Sequence, residues 1–436
     1  MRIRHALLAL IFAFAFTGYV QRTSISIAAE RMMPELGLSQ VQVGWLLTAF
    51  LFTYAVFQIP GALAGRWIGG RRMLSAIGLA TVIASIGTAA APAVATAGGT
   101  ALFVLLLTAR SLLGVAQAAL FPVGAGMIRT WFPVDRWASA QALVVTGLWS
   151  GAAATPALVA WLRQQYSRRW TLVITSVPAL ALVALWYVYA RDRPDEHPKI
   201  SEAELHDLAD NPTYDVRRTT HDIWGSLRRV LGDPQIRLLT VSYFTMNYVF
   251  YLVTFWSFLY LIQARHMSVL ESGVLAVLPF VTAGVAAGAG GWLADRLRVR
   301  WGDRVGMRIL PLVALPSAAL FLYLTVTAVS PYWAVAALCC GFGCVELTEG
   351  TFWGATMRRA PSDTMAATAV LNTGGNLGGV VATPIIAAVS SSYSWTEVFA
   401  TGAVCALVAA GLWLRIDVSH PQGWARQDTP KGNLVR

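Results

Sequence analysis

Apolar residues occur in long uninterrupted blocks along this chain of 436 residues. Each block is about twenty residues long, the length at which an α-helix crosses a membrane. Continuous blocks without strict alternation favour helices over a β-barrel. We therefore predict an all-α membrane protein with twelve transmembrane helices (spans), near residues 6–29, 42–64, 73–96, 100–125, 137–161, 170–190, 236–262, 270–294, 308–329, 332–356, 366–389 and 395–416.

The longest hydrophilic stretch divides the spans six and six. We expect an N-terminal six-helix bundle over 1–190, a central loop over 191–235, a second six-helix bundle over 236–420 and a tail over 421–436. Within the central loop, Ser201 and Glu204 have the spacing of a capping box for a short surface helix.

The two halves are related in sequence. PVDRWASAQALVVTGLWSGAAATP (133–156) aligns without a gap on PSDTMAATAVLNTGGNLGGVVATP (361–384), an offset of 228 residues. GALAGR (61–66) aligns on GWLADR (291–296), an offset of 230 residues. Two matches at nearly one offset indicate a duplicated six-span unit. Parallel repeats around a midplane site are typical of secondary transporters.

Basic residues predict the orientation. The loops after spans 2, 4, 8 and 10 are rich in arginine, whereas those after spans 3, 9 and 11 contain neither Arg nor Lys. Because short cytoplasmic loops carry the excess of Lys and Arg, both termini are expected in the cytoplasm. The protein is expected in the cell (inner) membrane as a multi-pass monomer.

Composition narrows the function classes. The chain is 56% hydrophobic and 13% charged, about half the charge fraction of a soluble domain. The net charge of +11 is explained by topology, so no nucleic-acid partner is expected. The four cysteines lie in apolar blocks and the histidines lie in termini or loops. We expect no metal site, no cofactor and no enzymatic activity.

Two arginines lie inside predicted spans. Arg22 is about sixteen residues into span 1, and Arg110 is near the middle of span 4. A charge at such depth costs at least about 2.5–3.5 kcal/mol and usually faces a cavity. Because guanidinium matches a carboxylate bidentately, both are candidates for binding an anionic substrate. The alternative is structural pairing with backbone carbonyls or a distant acid.

Several segments resemble the major facilitator superfamily and, within it, the anion:cation symporter family. They include QRTSISIAAERMMPELGLSQVQVGWLLTAFLFTYAVFQIPGALAGR (21–66), ARSLLGVAQAALFPV (109–123), WFPVDRWASAQ (131–141), RDRPDEHPKIS (191–201), TEGTFWGATMRRAP and LNTGGNLGG. The resemblance runs over nearly the whole chain. It implies a sugar-acid or hexuronate transporter-like protein and supports arginines at positions 22 and 110 as substrate or transport-cycle residues.

The loop signature of the superfamily is only partly kept, because Gly65 stands where an aspartate is usual. The second-half copy keeps Asp295. The resemblance implies that charged loop residues latch the inner face between conformational states, although topology alone would also explain them. The candidate gating residues are Arg66, Asp135, Arg136, Asp295 and Arg296.

A departure from the family concerns proton carriers. Many proton-coupled members have an aspartate before the span 1 arginine and a glutamate further along span 4. Here those positions are Gln21 and Gln117, which do not titrate. Gln117 is seven residues after Arg110, on the same helical face. These residues remain candidates for substrate binding but not for proton relay.

Two acids in span 10 are the candidates for ion coupling. Glu346 and Glu349 lie in GCVELTEGTFW, with Glu349 within a turn of Trp353. Three interpretations remain open: proton exchange, neutralisation of Arg22 or Arg110 across the bundle, and helix packing through hydrogen bonds.

Neutral polar residues could complete the site. Hydroxyls and amides suit a polyhydroxylated carboxylate, although polar residues in bundles also bond between helices. The stronger candidates for substrate contact are Tyr54, Tyr251, Asn372 and Asn376.

The sequence therefore predicts a secondary active transporter that moves a small organic anion, a sugar acid or related carboxylate, by alternating access. The driving ion is H⁺, Na⁺ or none. The first alternative is an uncoupled facilitator or exchanger, because Gln21 and Gln117 replace the usual acids. A transporter-like sensor is a further alternative.

Overall fold

The computed structural model describes residues 2–38, 40–94, 99–208 and 223–419. These residues form sixteen α-helices: α1 (Ile3–Leu36), α2 (Gln40–Ile68), α3 (Gly70–Val94), α4 (Gly99–Gln117), α5 (Leu120–Trp131), α6 (Trp137–Gln165), α7 (Arg168–Tyr189), α8 (Glu202–His206), α9 (Ile223–Gly232), α10 (Pro234–Gln263), α11 (Val269–Leu275), α12 (Leu278–Thr327), α13 (Pro331–Leu347), α14 (Glu349–Arg359), α15 (Thr364–Ser392) and α16 (Trp395–Trp413). The predicted tail, 421–436, and residues 209–222 of the predicted central loop lie outside the described residues.

The protein is an all-helical membrane protein with ten to twelve candidate spans. Ten segments of the described chain are long and apolar enough to cross a membrane. One of them, Glu271–Thr327, has 57 residues and bends at Gly302, where φ is 78°. That left-handed conformation favours glycine. A Cβ at Gly306 would lie 2.5 Å from Arg298 Cα, so the chain folds back on itself after the bend.

The sequence repeat has a structural counterpart. In the first half, α4 and α5 meet at a break at residues 118–119, and in the second half α13 and α14 meet at Thr348. Each broken helix leads through a 3₁₀ turn, Val134–Arg136 or Pro361–Asp363, into a helix of 29 residues. The aligned segments of the two halves therefore adopt the same succession of elements.

The two halves pack together mainly through α6 against α12 and α2 against α15. We call the end that carries the loops after α2, α5, α14 and the Gly302 bend the basic end. Near this end α6 and α12 approach so closely that a Cβ on Gly291 would collide with Ala142. Small residues permit such close helix contact in membranes.

The short helix predicted after Ser201 is present as α8, and the Ser201 side chain accepts a hydrogen bond from the Glu204 amide, 3.2 Å away. The Glu204 carboxylate does not close the capping box. It accepts bonds from the backbone amides of Ile3 and Arg4 at 3.2 and 3.0 Å. Those amides belong to the first turn of α1, where a negative charge is favourable. Glu204 is 3% exposed, so this part of the central loop is packed and not only solvated.

Candidate functional site

A cavity of about 50 Å³ lies between the two halves of the molecule. Seven of the residues singled out by sequence line it together: Arg22, Tyr54, Tyr251, Glu346, Glu349, Asn372 and Asn376. Its remaining walls are largely aromatic, with Tyr19, Phe121, Trp149, Tyr243, Phe250 and Trp353. The cavity thus combines one guanidinium, two carboxyl groups and several neutral donors within an apolar enclosure, a composition typical of small-ligand sites.

Arg22 supplies the positive charge of the cavity. Its Nη1 donates to the Tyr19 hydroxyl at 3.2 Å, and its Cζ lies 4.9–5.2 Å from the ring centroids of Tyr19, Phe50 and Tyr54. Among the described residues, no carboxylate oxygen lies within 4.0 Å of it. Aromatic rings hold the guanidinium by cation–π attraction while leaving its charge without a counterion.

The two acids flank the helix break at Thr348. Glu349 Oε1 accepts from the Tyr243 hydroxyl at 2.6 Å and from Trp353 Nε1 at 2.9 Å. Glu346 Oε2 accepts from Trp149 Nε1 at 2.8 Å. The proximity of Trp353 was visible in the sequence, whereas the partners Tyr243 and Trp149 were not. Neither acid forms a direct ion pair with Arg22 or Arg110 in this structure.

The neutral polar candidates contact one another between helices that surround the cavity. Tyr54 of α2 interacts with Asn372 of α15. The Tyr251 hydroxyl of α10 donates to Asn376 Oδ1 at 2.8 Å and also interacts with Arg22. Gly379 makes room for Tyr251, since a Cβ there would collide with the tyrosine ring. These hydroxyls and amides are thus placed around the guanidinium.

The other first-half candidates lie outside the central cavity. Arg110 and Gln21 line one cavity of about 10 Å³ between helices of the first half, and Gln21 and Gln117 line another. Arg110 Nη2 donates to the Arg22 carbonyl at 3.3 Å, and Gln117 Nε2 donates to the Gly18 carbonyl at 3.1 Å. The face of α4 predicted from the seven-residue spacing therefore points at the backbone of α1.

Arg66 connects the two halves at the basic end. Its Nη1 donates to Asp363 Oδ1 and to the Ser226 hydroxyl. Asp363 Oδ2 also accepts from Arg229 Nε at 3.0 Å. We call Arg66, Ser226, Arg229 and Asp363 the aspartate latch. Sequence reasoning missed Asp363, although the repeat aligned it with Asp135.

Asp295 makes a second connection at the basic end. Its Oδ2 accepts from the Ser139 amide at 2.7 Å and from the Ser139 hydroxyl at 2.5 Å, in the first turn of α6. Among the described contacts, the other gating candidates form no hydrogen bond or ion pair between the halves. Asp135 and Arg136 are exposed, and Arg296 lies over Trp292, with Cζ 3.9 Å from the ring centroid.

Fold and site together define the class: a multi-pass helical membrane protein whose two related halves enclose a charged central cavity. The profile described as the Major Facilitator Superfamily matches residues 10–383. The chain belongs to this superfamily of transporters, which are not enzymes.

Similar proteins agree with the resemblance found in the sequence. The "Sodium-dependent phosphate transport protein 1, chloroplastic" of Arabidopsis thaliana is 28% identical over 414 residues, covering 94% of this chain and 78% of the relative. The "Probable galactarate/D-glucarate transporter GudP" of Escherichia coli (strain K12) is 26% identical over 320 residues, covering 71% and 70%. Such homologues are members of the anion:cation symporter family, which confirms that prediction.

A solved structure supports the fold. The proton:xylose symporter XylE superimposes with a TM-score of 0.75 at 12% identity, covering 95% of this chain and 96% of that chain. At this identity the likeness shows a shared fold and carries no information on substrate.

Proposed function

We propose that this protein is a secondary active transporter that moves a small organic anion, a sugar acid or related carboxylate, across the cell (inner) membrane. The observation that carries the proposal is Arg22, a cation in a cavity between two halves with no carboxylate within 4.0 Å among the described residues. A bound carboxylate would be its counterion, since a fork of guanidinium donors matches two carboxylate oxygens. The names of the relatives, which include phosphate and glucarate transporters, support an anion.

The transporter would have twelve spans in two six-helix bundles, 1–190 and 236–420, joined by a central loop over 191–235, with both termini and the tail over 421–436 in the cytoplasm. The segment containing the Gly302 bend would cross twice, and α6, with 29 residues, is long enough to cross once. The basic end would face the cytoplasm because its loops carry the arginines. It would work as a monomer.

Alternating access would proceed by rocking of the two bundles around the cavity. In the present conformation the aspartate latch and the Asp295–Ser139 contact hold the basic end together. Opening that end breaks both. Asp135, Arg136 and Arg296, for which the described contacts show no hydrogen bond or ion pair between the halves, would take part in gating only after such a rearrangement.

Within the site, Arg22 would bind the carboxylate, and Tyr54, Tyr251, Asn372 and Asn376 would bind hydroxyl groups. Arg110 would hold α1 in place through its bond to the Arg22 carbonyl, and its positive charge would favour the anion. Gln21 and Gln117 would belong to the same supporting shell, because Gln21 of α1 and Gln117 of α4 line small cavities within the first half and not the central cavity.

Coupling to a cation, H⁺ or Na⁺, is part of the proposal. An uncoupled facilitator or exchanger is the second candidate, favoured by the non-titrating Gln21 and Gln117 beside the arginines. A sensor would bind the anion without moving it.

Counterflow in proteoliposomes tests the proposal. Vesicles loaded with unlabelled D-gluconate or D-glucarate should accumulate the same labelled anion transiently, whereas D-glucose should not exchange. Binding in a thermal-shift assay without counterflow would indicate a sensor and overturn transport. An exchange rate that is the same with and without an imposed H⁺ or Na⁺ gradient would favour the exchanger.

A further inference from the structure

We propose that Glu346 and Glu349 form a paired proton site that takes up one proton for each negative charge of the bound anion, and that Trp149 links this site to the movement of the two halves. The inference rests on the proposed anion transport. It assigns coupling to span 10 and gives it a stoichiometry.

The pair is part of the central cavity and is buried within the membrane region. Glu346 is fully buried and Glu349 is 7% exposed. They lie three residues apart across the Thr348 break, and both line the cavity that holds Arg22. The other titratable groups that line this cavity are four tyrosines on α1, α2 and α10, namely Tyr19, Tyr54, Tyr243 and Tyr251. The acids and the proposed anion therefore share one enclosed space.

The two carboxyl groups are not equally satisfied. Glu349 Oε1 receives two hydrogen bonds, from Tyr243 and Trp353. Glu346 receives one bond on Oε2, and its buried Oε1 has no partner among the described residues. A buried oxygen without a donor is costly when it carries charge and much less so when it carries a proton. Glu346 Oε1 is thus a place where a proton can be added without displacing an existing bond.

Charge balance sets the number of protons. Arg22 and Arg110 lie deep in the first half, and Glu346 and Glu349 lie opposite in the second half, so these four formal charges sum to zero. An anion entering the cavity adds negative charge, and net charge inside the membrane is unfavourable. One proton per negative charge restores neutrality. Two carboxyl groups can neutralise a monoanion with one proton or a dianion with two, and the empty carrier returns neutral once the protons it took up have been released.

Trp149 connects protonation to conformation. It belongs to α6 of the first half, yet its indole donates to Glu346 and packs on second-half rings, with centroids 5.4 Å from Phe250 and 5.7 Å from Phe280. Rocking of the halves that withdraws Trp149 removes the donor of Glu346 Oε2. Because that donor favours the ionised acid, its loss changes the proton occupancy of the pair. Trp149 is in this sense a positioning residue.

The experiment measures protons and anions together. The full-length protein is reconstituted with an internal pH dye, and uptake of labelled D-gluconate and of labelled D-glucarate is recorded with the change in internal pH and in membrane potential. We expect one proton per gluconate, two per glucarate and no net charge movement. A ratio that does not follow the substrate charge, or accumulation driven by a sodium gradient without proton movement, overturns the proposal. This readout needs no variant.

Variants then locate the site. Glu349→Gln and Glu346→Gln should lose proton-driven accumulation of the monoanion gluconate while retaining its counterflow, which requires only exchange of loaded carriers. Trp149→Phe should retain accumulation with a shifted pH profile, which a purely structural role would not produce. Glu271→Gln is the matched control, because this acid at the start of span 8 bonds to Tyr332 away from the cavity and should transport like wild type.

The outcomes separate the two proposals. Proton-driven accumulation of gluconate that survives in both glutamine variants overturns the paired site while leaving anion transport intact. Absence of counterflow for every anion in the wild type overturns the proposed function and the paired site with it.

Discussion

The two halves of the molecule share a backbone plan but contribute opposite charges to the central cavity, Arg22 from the first half and Glu346 and Glu349 from the second. Both halves contain a broken helix, a 3₁₀ turn and a 29-residue helix in the same order. At the first break stands Gln117, whereas the second break is flanked by Glu346 and Glu349. The first half places Arg22 at the central cavity with Arg110 in a small cavity behind it, and the second half places the two acids at the central cavity. Duplication thus explains the architecture, while divergence between the copies made a site with one cationic and one acidic wall.

Removing Arg22, the cation on the first-half side of the cavity, should have the largest effect on transport. Arg22→Ala deletes the only cation that lines the central cavity among the described residues. Truncating one partner of a buried charge pair costs about 2–5 kcal/mol, roughly 30-fold or more in affinity. We expect loss of saturable gluconate counterflow. Arg22→Lys, which keeps the charge without the fork, should recover part of it. Full activity of the alanine variant would contradict the anion site.

A substitution at Arg110 tests whether a positive charge outside the central cavity contributes to anion uptake. Arg110→Ala should abolish saturable uptake while leaving membrane insertion intact, because Arg110 contributes charge and holds the Arg22 carbonyl. Uptake kinetics and the amount of protein in the membrane fraction check this. Normal uptake would show that the first-half charge acts through Arg22 alone.

The aspartate latch should have a smaller effect, on conformation more than on binding. Asp363→Asn weakens the bonds from Arg66 and Arg229. Since a hydrogen bond to a charged group contributes about 1.5–3 kcal/mol, the population with an open basic end should rise roughly tenfold or more. Spin labels at the exposed Arg72 and Arg300 in a cysteine-free background measure the opening. If the distribution of distances between the two labels is unchanged, the charged residues of the latch serve membrane orientation and not gating.

Restoring acids to the first half should give the mildest change. Gln21→Asp with Gln117→Glu places titratable groups beside Arg110 and α1. Transport should become more dependent on pH while remaining measurable. If uptake by the double variant follows the wild-type pH profile, these two positions do not influence coupling. The single variants serve as controls for each position.

Much of the fold follows from local pattern. Apolar blocks predicted the helices, and the spacing of Ser201 and Glu204 predicted α8. Arg22 was a candidate because charge inside an apolar block is costly wherever it points. Glu349 and Trp353 are one turn apart on a helix, so their bond follows from helix geometry.

The remaining features of the site depend on contacts between residues that are far apart in the sequence. Trp149 and Glu346 are 197 residues apart, and Arg66 and Asp363 are 297 apart. Such pairs are set by how the halves pack, which no local periodicity encodes. Arg110 shows the same limit, because the seven-residue spacing to Gln117 predicted a shared face without saying whether that face meets the cavity or α1.

The carboxylate of Glu204 holds the start of α1, and Asp207 nearby pairs with the buried Arg4 at 2.8 Å. Arg2, Ile3 and Arg4 are therefore held by Glu204 and Asp207. Because Glu204 of α8 bonds to α1 while α9 bonds to Asp363 of the second half, the early and late parts of the central loop are attached to different halves. For protein engineering, substitutions at Glu204 would disturb the contact of α8 with α1, whereas substitutions at Ser226 would disturb the contact of α9 with Asp363, so the two attachments can be altered separately.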